Sequence, residues 1–123
     1  MASWFGTIGA VLGAVGVAMG AFGAHALKDT VEPRMLDIWS TATQYQLWHA
    51  LAIVAVALLA GREGANTTAV QVAGGAFTFG VLVFSGSLFL LVLTGKTWLG
   101  AITPIGGTAL IVGWIALAVA LAP

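Results

Sequence analysis

Histidine is the side chain that exchanges a proton most readily near neutral pH, and this chain has two, His25 and His49. His49 shares a helical face with Tyr45, four residues earlier, and Gln46 lies beside them. The four residues His25, Tyr45, Gln46 and His49 read as a polar cluster near one membrane interface. Such a cluster would sense protons or hold a small ligand, or it would only pin the first interhelical link to the rest of the fold. Polar packing is the commoner use of such groups in membrane helices and is the leading reading. A metal is not expected. Two histidines make a poor site unless Asp29, Glu32 or Asp37 complete it.

A second polar group is Phe84-Ser85-Gly86-Ser87. Ser85 stands ten residues before Gly95 and Trp114 ten residues after Pro104. At 1.5 Å per residue, both reach about 15 Å into a helix, near the centre of a bilayer. Ser85, Ser87 and Trp114 therefore form a midplane polar set, whereas Trp4 and Trp98 sit where an interfacial aromatic belt is expected. The indole N–H of Trp114 needs an acceptor at that depth, and Ser85 or a carbonyl of the third helix is the expected one. Serine is a nucleophile only beside a base, and none reaches this depth, so no catalytic residue is assigned.

These residues must be positioned by apolar helices. Of 123 residues, 60% are hydrophobic and 7% charged, too few charges to cover a water-soluble surface. The charges are Lys28, Asp29, Glu32, Arg34, Asp37, Arg62, Glu63 and Lys96. Between them run four apolar stretches, about 4–27, 44–60, 69–93 and 104–122, with an amphipathic, interfacial start to the second helix over about 31–43. Asp29-x-x-Glu32 resembles a capping box before Pro33, Asn66 or Thr67 can cap the third helix, and Thr103-Pro104 opens the fourth. Whether residues 31–43 continue into the second span or bend away from it stays open. Short links force antiparallel neighbours, so the expected fold is an all-α integral membrane protein, an antiparallel four-transmembrane-helix bundle in a single domain.

Several classes are excluded or disfavoured. The net charge of zero gives no basis for nucleic-acid binding. Without cysteine there are no disulfides or thiolate metal sites. No Asp, Glu, Lys or Arg falls inside an apolar stretch, which argues against proton- or ion-coupled transport. No cofactor is expected. Ala24-His25-Ala26 resembles a cleavage site, but Met1–Ser3 carries no basic residue and the apolar run is too long for a signal peptide. Lys28, Arg34 and Lys96 share one side against Arg62 on the other, which leans the termini away from the cytoplasm.

The glycines carry the strongest pattern. Gly6, Gly9, Gly13, Gly16, Gly20 and Gly23 are spaced 3, 4, 3, 4 and 3 apart, a helix edge without side chains. Gly106 and Gly113, with Ala109, Ala116 and Ala120, repeat the spacing in the fourth helix. Such edges let helix backbones approach closely where lipid supplies no hydrophobic drive. The seam is internal to the chain or joins copies of it, the former being favoured with four helices available.

Gly20-Ala-Phe-Gly-Ala-His25, Tyr45-Gln-x-x-His49-Ala50-Leu51, Phe84-Ser-Gly-Ser-Leu88, Leu93-Thr94-Gly95 and Ile102-Thr-Pro-Ile-Gly-Gly107, followed by Gly113-Trp114, resemble the YgdD/YwdK family. That family comprises small bacterial inner-membrane proteins catalogued as a domain of unknown function, and the likeness spans nearly the whole chain. It implies an inner-membrane protein of about four spans without an established activity. Its partners would be the lipid bilayer and a homo-oligomer or larger membrane complex. The leading functional reading is a non-enzymatic, membrane-organising protein or accessory subunit. The alternative is a transporter or small-molecule binder using His25, Tyr45, Gln46 and His49.

Overall fold

Long apolar runs with few internal breakers fold as helices, and the breakers that do occur mark their ends. In a computed structural model describing residues 4–123, α1 covers Phe5–Phe22, α2 Pro33–Ala60, α3 Thr67–Thr94 and α4 Thr103–Leu121. A π-helical turn, Gly23–Leu27, extends α1, and a 3-10 turn, Thr97–Ala101, precedes α4. Met1–Ser3, to which the signal-peptide expectation refers, lie outside the described residues. All four helices, with their flanking turns, are long and apolar enough to cross a membrane.

The helix ends follow local chemistry. Asn66 caps α3, its side chain accepting the Ala69 N–H at 3.0 Å. Gly95 ends α3 with φ at 72°, a left-handed conformation that favours glycine. Pro33 takes the first turn of α2, where a missing N–H costs nothing. The expected capping box does not form: Glu32 is the N-cap residue and no side chain bonds the first-turn amides. Thr103 is the first residue of α4 rather than its cap, and its hydroxyl turns to Ser87 instead.

Residues 33–60 form one continuous helix of 28 residues, about 42 Å long against a hydrocarbon core of about 30 Å. The excess lies at the Pro33 end, where Arg34 and Asp37 reach the headgroup zone. The chain packs in sequence order, α1 on α2, α2 on α3 and α3 on α4, so α2 and α3 form the centre and α1 and α4 the flanks. One core joins Phe5, Ile53, Val56, Phe77, Val81, Leu110 and Leu117. A second, toward the other face of the membrane, joins Leu27, Trp39, Ala42, Phe89 and Val92. Phe5 reaches across from α1 to rest against Gly74 of α3.

Candidate functional site

His49 is buried in α2. It stands eleven residues before Ala60, about 16 Å along the helix, which against a hydrocarbon core of about 30 Å is deeper than the interfacial position expected from the sequence. That reading started the second span at residue 44, whereas α2 begins at Pro33 and pushes its surplus turns out of the membrane. Trp114 of α4 donates its indole N–H to His49 Nε2 at 2.9 Å. An indole can only donate, so Nε2 accepts and the proton of the neutral ring sits on Nδ1. That N–H donates to the Tyr45 carbonyl at 2.6 Å. Both ring nitrogens are thus engaged, and the bond ties α2 to α4 over the shoulder of α3.

Aromatic rings enclose this contact. Trp114 meets His49 edge-on at 5.6 Å and Phe77 at 5.0 Å, and Tyr45 stacks on Phe84 at 4.4 Å. Beside them a cleft of about 530 Å³ runs along α4, lined by Tyr45, Trp48, His49, Phe84, Thr108 and Trp114 among others. The expected acceptor for Trp114, Ser85 or a carbonyl of α3, is replaced by His49.

The remaining polar residues disperse. Ser85 is buried and donates to the Ala42 carbonyl of α2 at 2.7 Å. Ser87 shares a 2.6 Å hydroxyl–hydroxyl bond with Thr103. The midplane set is therefore three separate ties, not one group. Gln46 turns the other way and donates to the Leu12 carbonyl of α1 at 2.9 Å. His25 is exposed in the π-helical turn and joins none of these bonds among the described residues. The four-residue cluster reduces to the contact between Tyr45 and His49 because Gln46 and His25 sit on other faces. No buried side-chain polar atom among the described residues lacks a partner.

Both glycine rows are consumed inside the chain. All six glycines of α1 and its π-turn face α2. A Cβ at Gly9 would come within 2.9 Å of the Ala50 carbonyl oxygen, at Gly16 within 2.8 Å of Leu47, and at Gly23 within 2.5 Å of Trp39. Gly6, Gly13 and Gly20 form the looser row, with nearest atoms at 3.6, 4.0 and 3.2 Å. On α4, Gly106 lies against the Phe84 backbone and Gly113 against the Phe77 ring.

One anchor escaped sequence reasoning. Trp39 fills the notch at Gly23 and donates to the Met19 carbonyl at 2.7 Å. Trp39 and Gln46 are one heptad apart, as are the carbonyls of Met19 and Leu12 and the glycines Gly23 and Gly16 four residues beyond them. Each missing Cβ opens a carbonyl to a donor from α2. The matching seven-residue interval was the available signal.

The chain matches the family described as "Protein of unknown function (DUF423)" over residues 19–107. It is 43% identical over 113 residues to a "UPF0382 membrane protein" of Staphylococcus epidermidis, covering 92% of this chain and 90% of the relative. It is 42% identical to "UPF0382 membrane protein YwdK" of Bacillus subtilis, covering 92% and 91%. No solved structure matches it.

Proposed function

The chain belongs to the DUF423 family, as its motifs led us to expect, and on that premise we propose that it acts without catalysis. It works by helix association in the bilayer, as a membrane-organising protein or an accessory subunit. The carrying observation is a second row of small residues on α1. Ala10, Ala14 and Ala18 stand four apart along α1, turned away from its contact with α2, and all three are exposed. Small residues at that spacing let another helix approach closely, and no element among the described residues covers them. The buried side-chain polar atoms of the described residues all have partners within the chain, which supports packing as their use. Association is tested by native mass spectrometry of protein extracted with its surrounding lipid. The wild type should carry a second copy or a membrane partner, and Ala14→Phe should lose it while keeping its helical signal. Wild-type protein found only as a monomer would refute the reading.

We place the protein in the bacterial inner (plasma) membrane with its termini outside the cytoplasm. The cysteine-free sequence makes this testable: Lys96→Cys should react only with membrane-permeant thiol reagents in intact cells, and Arg62→Cys also with impermeant ones. The opposite pattern reverses the orientation.

A second reading, small-molecule binding, is favoured by the cleft beside His49. It predicts that Tyr45→Phe alters the flux or retention of a solute without changing stability. Altered stability with unchanged flux supports the packing role.

A further inference from the structure

A second cleft, also about 530 Å³, opens where the π-helical turn after α1 meets the first turns of α2. Its wall is bare at Gly20 and Gly23, and its floor includes the Trp39 ring. Lys28 and Asp37, of opposite charge, stand on its rim with Ser40. Both charged residues are exposed, and neither is taken up by a hydrogen bond or ion pair to another described residue. The depth is specific. Counting about 20 residues back from Ala60 puts the hydrocarbon boundary near Ser40. Lys28 and Asp37 therefore lie at headgroup level, while Gly20 and Thr43 open the cleft into the apolar layer below.

A cation and a carboxylate over an apolar slot at that level match a zwitterionic amphiphile. We propose that this cleft binds an aminophospholipid of the phosphatidylethanolamine type. Its phosphate pairs with Lys28, its primary ammonium donates to Asp37, and one acyl chain enters the apolar part of the cleft beside Ala24, Leu36 and Trp39. A quaternary choline head cannot donate a hydrogen bond to Asp37, and a phosphatidylglycerol head has no cation to offer it. Of the three heads, only the primary amine both carries the positive charge and donates a hydrogen bond to Asp37.

The test is thermal unfolding of the full chain in detergent micelles, titrated with phosphatidylethanolamine, phosphatidylcholine or phosphatidylglycerol of identical acyl chains. Water-soluble phosphoethanolamine serves as a fourth arm. The wild type should bind phosphatidylethanolamine about tenfold more tightly than phosphatidylglycerol, the scale of one charge-assisted hydrogen bond. Asp37→Asn should abolish that preference, and Lys28→Gln should weaken both lipids. Equal stabilisation by all three lipids, or a preference that survives Asp37→Asn, overturns the proposal. A full shift from soluble phosphoethanolamine also overturns it, because the acyl chain would then contribute nothing. Should a variant fail to fold, native mass spectrometry of the wild type in an equimolar lipid mixture decides. Selective retention of phosphatidylethanolamine supports the site, and unselective retention refutes it.

Discussion

The bond from Trp114 to His49 sets the chemistry of the only ionisable side chain found near mid-membrane among the described residues. An imidazole that accepts at Nε2 and donates at Nδ1 has no free nitrogen for a metal or a substrate proton. His49 thus ties α2 to α4 with both ring nitrogens engaged. Replacing Trp114 with Phe should cost about 1 kcal/mol of bundle stability, the scale of an interhelical hydrogen bond in a membrane. His49→Phe combined with Trp114→Phe should lose less than the sum of the singles, with a coupling of about 0.5–1.5 kcal/mol in detergent unfolding titrations. Strict additivity would mean that the contact contributes nothing. His49→Ala should likewise disturb folding or assembly more than any solute flux. Unchanged stability with lost flux would reverse the assignment.

Between helices, the glycine contacts divide into two grades, and the substitutions should follow. Gly9→Ala drives a Cβ toward the Ala50 carbonyl, which cannot yield as a side chain does, and should destabilise by about 1–3 kcal/mol. Gly13→Ala meets only the Ala50 Cβ at 4.0 Å and should be neutral, or gain up to about 1 kcal/mol from helix propensity. Comparable losses at both sites would deny the two-grade seam. Bulk at Gly13 is therefore a weaker test of the seam than bulk at Gly9. The spacing exposed the edge because glycine phase is local and repeats with the helix. Which row lies deeper depends on how α2 is rotated, and nothing in the spacing encodes that. Helix existence and type were similarly legible from apolar length, and Gly95 and Asn66 from their turn chemistry. The depth of His49 was not, because α2 exceeds the bilayer thickness and its surplus could stand at either end. The partner of Trp114 was missed for the same reason: His49 was placed one interface too shallow.

Across the whole molecule, the small number of charges acquires a sharper meaning. They leave the apolar stretches without a carboxylate or ammonium, and the buried side-chain polar atoms of the described residues are bonded within the chain. Apolar surface faces outward on all four helices, including Val17 of α1, Leu58 of α2, Leu82 of α3 and Ile111 of α4, and α1 adds its alanine row. A protein whose interior is self-sufficient and whose flank is small and smooth is suited to contact other helices. Gly16→Leu and Ala14→Phe add bulk two residues apart on opposite faces of α1. The first should unfold the packing of α1 on α2, and the second should leave it intact. The most direct test is the mass of the native particle carrying wild type or Ala14→Phe, released with its own lipids and measured at equal helicity. A complex is expected for the wild type and a monomer for the variant; a wild-type monomer, or a complex indifferent to Ala14→Phe, would mean that α1 is not an association face.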